Sequence, residues 1–374
     1  MIIFGIMNGP TRRQTKQIKV GKVPIGGDSP VSVQTMTKTD TRDAVATLKE
    51  IERLALAGCD IIRLAVPDID AAKALRTIVS KSPIPVIADI HFDHQLALVS
   101  MESGVHGLRL NPGNIRESEK IRQVAREAGQ RGIPIRVGVN SGSLDPRMLE
   151  KYGGVTPQAL AESALSEVSL LEKEGFSEIK IAIKAFDLYT TIEAVRIVAG
   201  SCRYPLHLGV TESGLPEEGI VRSSIGIGAL LLEGIGDTIR VSLTGDSAQE
   251  VATGIRILRS VGLRETSPVL ISCPTCGRCQ IPLMDIAREV SEKLSGIALP
   301  LKVAVMGCAV NGPGEASQAD FGIAGGRESG LIFRKGKIIR TLPTSELVGG
   351  LLEEIRNFLK ENPKNELKNG VKEE

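Results

Sequence analysis

Short apolar runs alternate with longer amphipathic stretches from about residue 30 to residue 262. Buried parallel strands are typically near-continuous apolar runs of this kind, because both of their faces are covered. The runs that predict strands are 31–36, 60–66, 85–90, 107–110, 134–139, 178–183, 205–210 and 238–243. Each run is followed by a stretch with helical periodicity, so the pattern predicts eight strand–helix units.

The number of units and their length predict the fold of this region. In the stretch after the first strand, Val45, Leu48, Ile51 and Leu54 recur at every third position, and Gly58 follows as a stop signal. Strand–helix units repeated eight times over some 230 residues favour an α/β TIM barrel, (β/α)8. An open doubly wound sheet would have a Gly-rich phosphate loop after its first strand, and the sequence has none there.

The pattern changes after residue 261, where a second domain of α+β type is expected. Residues 282–294 predict an amphipathic helix, 301–306 a strand, 331–340 a hairpin turning at Lys335 and Gly336, and 344–359 a final helix. We therefore predict a barrel domain over residues 1–266 and a small domain over 267–360. Residues 361–374 are polar and are predicted to form a disordered tail.

Composition excludes several classes of protein. The chain has 374 residues with 46 basic and 44 acidic side chains, so no global field favours nucleic acid or a membrane surface as a partner. No uncharged run approaches the roughly 20 residues that a membrane span requires. The apolar part of the first residues is too short for a signal sequence, and we expect a cytoplasmic protein.

The cysteines indicate a metal centre. Cys59 and Cys202 stand alone in apolar contexts and are predicted to be small buried hydrophobic residues. The other four are close together near the C-terminal end of a large chain, at positions 273, 276, 279 and 308. That arrangement favours metal ligation in a reducing compartment over a disulfide framework.

Two kinds of metal centre are compatible with the spacing. Cys273, Cys276, Cys279 and Cys308 would form a closed structural zinc site of four thiolates. Alternatively, three cysteines would bind three irons of a 4Fe–4S cluster, and Glu315 or substrate would bind the fourth iron. Three soft thiolates and one hard carboxylate suit a cluster in which the ligand of one iron can be replaced. The Gly-rich segment around Glu315 lets the backbone approach a bulky group and favours the cluster.

Polar side chains stand where barrel strands should be apolar, and we regard them as candidates for substrate binding. They are Arg63, Arg109, Asn111, Arg136, Asn140, Lys184, His207, Arg240 and Ser242. Any one could form a structural ion pair, but cations from several strands converging on one barrel mouth would repel each other unless an anion offsets them. Arginine suits phosphate best, so we predict a phosphorylated substrate. Asp89, His91 and Glu212 end strands and are candidates for acid–base roles, with Thr211 beside them.

Several motifs together resemble the hydroxymethylbutenyl diphosphate synthase family, also called IspG or GcpE. In the small domain they are CPTCGR (273–278) and VMGCAVNGPGEA (305–316). In the barrel they are QTMT (34–37), LRLNPGN (108–114), IRVGVNSGS (135–143), LHLGVTE (206–212) and GDTIRVS (236–242). The similarity extends from about residue 12 to residue 355, nearly the whole chain.

The resemblance implies a reaction, a cofactor and partners. The reaction is the reductive opening and dehydration of methylerythritol cyclodiphosphate to hydroxymethylbutenyl diphosphate in isoprenoid biosynthesis, with two electrons. A TIM barrel would precede a domain resembling a sulfite-reductase module, whose 4Fe–4S cluster would be held by Cys273, Cys276, Cys308 and Glu315. Flavodoxin or ferredoxin would be the electron donor. The chain would form a head-to-tail homodimer, with one subunit's cluster domain closing over the partner's barrel.

The resemblance also implies roles for individual residues. The diphosphate would bind to Arg63, Arg109, Asn111, Arg136, Asn140, Lys184, Arg240 and Ser242. Thr211 and Glu212 would lie near the reacting carbons, with Glu212 as the proton donor for the departing hydroxyl and Glu315 as the ligand that yields to substrate. Cys279 departs from the family pattern and is interpreted as a bystander. The rival functions are a phosphate-binding barrel enzyme with structural zinc, and a cluster-bearing redox sensor.

Overall fold

The structure is a computed structural model that describes residues 10–91, 93–110, 115, 117–264, 267–295, 297, 299–309, 314 and 316–362. Its residues fall into two compact units, which divide after Arg264. The first unit begins with a short antiparallel hairpin of β1 (Ile18–Val20) and β2 (Val23–Ile25). The sequence patterns did not predict this hairpin.

Eight strands of the first unit form one parallel sheet. They are β3 (Ser32–Met36), β4 (Ile61–Ala65), β5 (Val86–Asp89), β6 (Gly107–Leu110), β7 (Ile135–Asn140), β8 (Ile179–Lys184), β9 (His207–Leu208) and β10 (Thr238–Ile239). Neighbours in the chain are neighbours in the sheet from β3 to β8, and β10 lies between β3 and β9. A parallel bridge between Ile181 and Leu206 joins β8 to the segment before β9 and closes the sheet. The predicted TIM barrel is confirmed.

Helices alternate with these strands and cover the barrel. They are α1 (Ala44–Leu56), α2 (Ile69–Lys81), α3 (His94–Glu102), α4 (Ser118–Arg131), α5 (Pro146–Tyr152), α6 (Pro157–Glu172), α7 (Leu188–Ser201), α8 (Pro216–Leu232) and α9 (Ser247–Ser260). Aspartates that follow the strands begin several helices, because a side-chain carboxylate accepts an otherwise unpaired backbone N–H: Asp43, Asp68, Asp93, Asp187 and Asp246. The helix α5 and a 3₁₀ turn at Ser141–Ser143 are additions in the connection after β7.

The two faces of each barrel strand have different surroundings. In β8, Ile179, Ile181 and Ile183 belong to the apolar core shared with the helices. Alternation along a strand then turns Lys180 and Lys184 toward the barrel interior. The alternation of isoleucine and lysine in β8 therefore places basic groups inside the barrel and leaves the apolar core between strands and helices intact.

The hairpin β1–β2 covers the N-terminal end of the barrel. Ile18, Val20 and Ile25 form a buried apolar cluster with Ile61 and Ile87, which lie in β4 and β5. All five side chains are essentially inaccessible to solvent. The carboxyl ends of the strands, where this fold places its functional side chains, lie at the opposite end.

The second unit is a mixed α+β domain, as predicted. Its sheet has the order β11 (Val269–Ser272), β12 (Lys302–Met306), β13 (Phe321–Ala324), β14 (Ser329–Arg334) and β15 (Lys337–Pro343). The first two pairings are parallel and the last two antiparallel. The helices α10 (Leu283–Leu294) and α11 (Leu347–Glu361) pack on it, with a 3₁₀ turn, Thr344–Glu346, before α11.

The predicted elements of this domain agree with the structure to within a few residues. The hairpin β14–β15 turns at Lys335 and Gly336, whose φ angles are 47° and 75°, as a two-residue hairpin turn requires. The final helix begins three residues later than predicted, because 344–346 form the 3₁₀ turn, and ends at Glu361. Strands β11 and β13 were not predicted. The tail 363–374 lies outside the described residues.

Candidate active site

Three buried arginines from strands of the barrel lie close together around Asp89. Arg63 of β4, Arg109 of β6 and Arg136 of β7 are 7%, 6% and 5% exposed. Asp89, at the end of β5, lies between the first two, with Oδ2 3.4 Å from Arg63 Nε and Oδ1 3.3 Å from Arg109 Nη1. His91 contacts the same guanidinium, since its Nδ1 lies 3.0 Å from Arg109 Nη1.

The electrostatics make Asp89 a counter-ion for the arginines. Burial alone would raise the pKa of its carboxyl group, but the charge of Arg63, a hydrogen bond from His91 and the charge of Arg109 together lower that pKa far below its usual value. Asp89 is thus a permanent carboxylate at neutral pH. The acid–base role considered for it from the sequence stays a prediction.

Two more cations complete this group. Lys184 at the end of β8 is 8% exposed, and Arg240 follows β10. Arg240 Nη2 lies 3.6 Å from Glu250 Oε2. That carboxylate also accepts hydrogen bonds from Thr35 Oγ1 at 2.5 Å and from the backbone N–H of Leu243 at 3.0 Å, so it is shared among three donors.

Glycines make room for two of the cations. A Cβ on Gly138 would lie 3.2 Å from Arg109 Nε. One on Gly209 would lie 3.0 Å from Lys184 Nζ and 2.6 Å from the carbonyl oxygen of Arg240. These glycines in β7 and after β9 therefore allow long basic side chains to cross the barrel interior.

The balance of charge indicates an anion site. Among the described residues, two carboxylates lie within ion-pair distance of these five basic side chains, Asp89 and Glu250. Burial lowers the pKa of Arg63 to about 10, and burial with the charges of Arg240 and Arg136 lowers that of Lys184 well below its ordinary value. Buried cations with so few partners are costly, and a polyanion in the barrel mouth would offset that cost.

The structure also shows a buried residue that the sequence reasoning missed. Lys180 of β8 is 2% exposed and lies directly opposite Arg136 in the strand pairing. His207 of β9 is 1% exposed, and both of its ring nitrogens lack a hydrogen-bond partner among the described residues. The two lysines of β8 are four residues apart, a spacing that puts them on one face of a strand and was the available signal.

Glu212 has an unusual backbone conformation. Its φ angle is +55°, and among the described residues other than glycine only Lys335 also has a positive φ. This conformation costs about 1–2 kcal/mol for a residue with a Cβ and is often kept where a side chain must be aimed. Glu212 is exposed just beyond β9, at the carboxyl end of the barrel, with Thr211 before it.

The remaining candidates occupy similar places. Asn140 ends β7 opposite Lys184, and Ser242 follows β10 and is half-buried. Asn111 lies outside the described residues. The structure thus brings together the arginines, Lys184 and His207, and puts Asn140, Thr211, Glu212 and Ser242 at strand ends of the same barrel face.

The cysteines of the second unit lie on one edge of its sheet. Cys273 follows β11, and Cys308 follows β12 after one glycine. Because these strands are parallel and pair in register, their carboxyl ends bring the two cysteines to the same side. The backbone N–H of Gly307 donates to Cys273 Sγ at 3.2 Å. A Cβ on Gly307 would lie 2.7 Å from Cys279 Sγ.

These thiols have the chemistry of metal ligands. A hydrogen bond from the backbone N–H of Arg278 lowers the pKa of Cys276, which is exposed, and so favours its thiolate. An N–H donor such as that of Gly307 likewise suits a sulfur that carries negative charge. An open cleft of about 590 Å³ beside them is lined in part by Arg278, Cys279, Cys308 and Arg327. The donor set therefore fits a thiolate-bound metal centre.

The geometry of a complete metal site is not visible in the described part of the chain. No group of three or more His, Cys, Asp or Glu side chains there is arranged to hold a metal ion. Glu315 lies outside the described residues. Cys279 Sγ donates to the carbonyl oxygen of Ile281 at 3.3 Å.

The two isolated cysteines belong to the barrel domain. Cys59 is buried, and burial raises the pKa of its thiol to about 12, so it acts as the small hydrophobic residue that was predicted. Cys202 is half-buried against the same core. No helix in the described ranges is long and apolar enough to cross a membrane.

The fold and the site define a class of protein: a TIM barrel with a group of buried cations in its interior, followed by an α+β domain that carries four cysteines. Residues 15–255 match the family model described as GcpE TIM-barrel domain, and residues 269–357 match that of the GcpE protein C-terminal domain. The chain belongs to the GcpE family.

Relatives of similar length share its sequence. A 4-hydroxy-3-methylbut-2-en-1-yl diphosphate synthase (flavodoxin) from Geobacter sulfurreducens is 54% identical over 350 residues, covering 94% of this chain and 99% of the relative. Proteins with the same name from Thermodesulfovibrio yellowstonii and Clostridium tetani are each 54% identical, over 92% and 93% of this chain and 99% of each relative. The resemblance drawn from the motifs is confirmed.

Two solved structures share the fold of the barrel but little of its sequence. The dihydropteroate synthase of Yersinia pestis is similar with a TM-score of 0.50 and 11% identity, covering 66% of this chain and 96% of that chain. The enzyme of the same name from Stenotrophomonas maltophilia has a TM-score of 0.50 and 12% identity, covering 66% and 97%. This likeness shows a barrel of the same architecture.

Proposed function

We propose that this chain is a 4-hydroxy-3-methylbut-2-en-1-yl diphosphate synthase of the methylerythritol phosphate route. It would convert 2-C-methyl-D-erythritol 2,4-cyclodiphosphate into 4-hydroxy-3-methylbut-2-en-1-yl diphosphate. The names of relatives with 54% identity over nearly their whole length support this activity. The observation that carries it on this chain is the group of buried cations in the barrel mouth, which fits a diphosphate and offers bidentate donors.

The residues of the mouth would bind and orient the substrate. Arg63, Arg109 and Arg136 would donate hydrogen bonds to the diphosphate oxygens, and Lys184 would add a point charge from β8. Further candidates for the same role are Asn111, Asn140, His207, Arg240 and Ser242. Since all of these come from strands or their ends, the rigid barrel would hold the diphosphate in one orientation.

The reaction consumes two electrons and, counting both diphosphates as protonated acids, two protons. A ring carbon–oxygen bond breaks, a carbon–carbon double bond forms, and one hydroxyl oxygen leaves as water. Glu212 would donate the proton to this departing hydroxyl, because its strained backbone fixes the carboxyl group at the end of β9. Thr211 would lie beside the reacting carbons.

A 4Fe–4S cluster would be held by Cys273, Cys276, Cys308 and Glu315. The N–H donor on Cys273 and the lowered pKa of Cys276 suit this ligation. When bound, such a cluster supplies the electrons one at a time and offers one iron as a Lewis acid. Cys279 would remain a bystander. The relatives' names support flavodoxin as the electron donor, and ferredoxin is the other candidate.

Anaerobic assay and metal analysis test this function together. Purified protein should be brown, with about four irons per chain, and should form the linear diphosphate from the cyclic one when a chemical reductant is supplied. The product can be followed by phosphorus NMR. A colourless protein with one zinc would support the structural-zinc alternative, and a cluster-bearing protein without turnover would support a sensor.

The role of Glu315 can be separated from cluster assembly. Glu315→Ala should retain iron and sulfide, since three thiolates remain, but lose most of its turnover. Glu328→Ala, an exposed carboxylate in the same domain, is the matched control and should retain both. Full turnover in Glu315→Ala would contradict the idea of a replaceable ligand.

A further inference from the structure

The barrel interior below the mouth is polar, although barrels of this kind are usually filled by branched apolar side chains. Buried polar residues come from strands β3, β8, β9 and β10: Ser32, Gln34, Lys180, His207 and Thr238. Thr238 lies opposite both Ser32 and His207 in the strand pairing. Among the described residues, the side-chain nitrogen and oxygen atoms of this group have no hydrogen-bond partner.

Of the two ionisable side chains in this set, Lys180 and His207, Lys180 is the stronger base, and no carboxylate among the described residues lies within ion-pair distance of it. The charged groups that face it are Arg136 of β7, Arg63 of β4 and Asp237, which precedes β10. Asp237 already accepts from Arg12 Nη2 at 2.9 Å and from Thr15 Oγ1 at 3.0 Å. Its other oxygen accepts the backbone N–H of Leu206 at 2.8 Å.

These surroundings weaken the charged form of Lys180. Burial and the charge of Arg136 lower the pKa of its amine to about 7. His207 faces Arg136, Lys184, Lys180 and Arg63, and burial with these charges lowers its pKa well below the ordinary value, so its ring is neutral. An anion bound near Arg136 would make the local field less positive and so favour the ammonium form of Lys180.

We propose that Lys180 is an additional part of the anion site and that its amine takes up a proton when the diphosphate binds near Arg136. It acts as a positioning residue, because it supports Arg136 and the bound anion by charge without touching the substrate. This inference rests on the proposed function, which supplies the diphosphate. It makes substrate affinity depend on pH through a group in the barrel interior.

The substrate itself cannot account for such an uptake. Each phosphorus of a cyclic diphosphate carries one strongly acidic oxygen, which is ionised throughout the neutral range. Guanidinium groups remain protonated at these pH values. The competing proton acceptors are Lys184, whose pKa is also lowered, and His207.

Calorimetry of binding without reductant measures the uptake directly. Titrations of the cluster-containing protein with the cyclic diphosphate, in buffers of different ionisation enthalpy, give the number of protons bound. We expect up to about one proton at pH 8, less at pH 6 where Lys180 is already protonated, and a Kd that rises by up to about tenfold per pH unit above 7. Binding with no uptake at pH 8 would overturn the proposal, whereas no binding at all would contradict the proposed function instead.

Two substitutions assign the proton. Lys180→Met should abolish the uptake and flatten the pH dependence of Kd, with a Tm equal to or above that of the parent, since an unpartnered buried amine is removed. Lys180→Arg stays charged, so it should bind without uptake. Lys173→Met, an exposed lysine, is the control and should behave as the parent. Undiminished uptake in Lys180→Met would assign the proton to Lys184 or His207 and refute the proposal. If neither variant folds, the parent protein is still decisive: no uptake at pH 8 refutes the proposal, and an uptake of about one proton with an apparent pKa near 7 supports it.

Discussion

Replacing Asp89 by asparagine would remove the counter-charge of the buried arginines. Its oxygens lie 3.4 Å from Arg63 and 3.3 Å from Arg109, and all three side chains are less than one-tenth exposed. Breaking a buried ion pair from one side costs about 3–5 kcal/mol, because the remaining charge is uncompensated. At roughly 2–4 °C per kcal/mol for a domain of this size, Tm should fall by about 6–20 °C.

Pyrophosphate should restore much of this loss. A ligand at a hundred times its Kd stabilises the native state by about 2.7 kcal/mol. Because Asp89→Asn leaves the mouth more positive, the variant should gain more from pyrophosphate than the parent protein. Thermal melts followed by circular dichroism, with and without pyrophosphate at constant ionic strength, measure both effects. Glu119→Gln breaks an exposed pair with Arg122 and should cost less than about 1 kcal/mol.

The pH dependence gives a second check on Asp89. Its pKa is lowered in the folded state, so its contribution is fully present above the unfolded value of about 3.9 and is lost as the pH falls toward the native value. The difference between parent and variant should therefore be constant from pH 6 to 8 and shrink below about pH 4. A variant as stable as the parent at pH 7 would refute the counter-ion role, and a loss that pyrophosphate leaves unchanged would refute the anion site.

Two further substitutions test the barrel mouth. Gly209→Ala places a Cβ 2.6 Å from the Arg240 carbonyl oxygen, so we expect about 1–3 kcal/mol of destabilisation and a raised KM. Gly228→Ala, in open space on α8, is its control and should be neutral or stabilising; equal behaviour of the two would contradict the close packing. Glu212→Gln should lower kcat by about 10²–10⁴ with Tm unchanged. A kcat within tenfold of the parent would exclude Glu212 as the proton donor.

The barrel was predictable because its strands are continuous apolar runs with clear periods. The run 178–183 differs by one residue at each end from the observed Ile179–Lys184. Two other runs, 205–210 and 238–243, contain strands of only two residues each, His207–Leu208 and Thr238–Ile239. In these runs the apolar residues predict a buried, extended segment. How many of its residues pair with a neighbouring strand depends on how the barrel closes.

Shorter features carry too little pattern to be recognised. The hairpin β1–β2 has strands of three residues, too few to establish a period. Lys180 shares a strand face with Lys184, but the sequence alone does not show how deeply that face of β8 is buried, and the closed barrel does. The cysteines differ from Lys180, because their spacing in the sequence already identifies them as candidate metal ligands. The spacing does not determine how their sulfur atoms are arranged in space.

The apolar hairpin that covers the N-terminal end of the barrel has a kinetic consequence. With Ile18, Val20 and Ile25 packed over Ile61 and Ile87, that end offers no route for a diphosphate. Substrate and product must then use the same opening, and both carry the group that the arginines bind. A product molecule that has not yet left excludes the next substrate, so inhibition by product should be competitive.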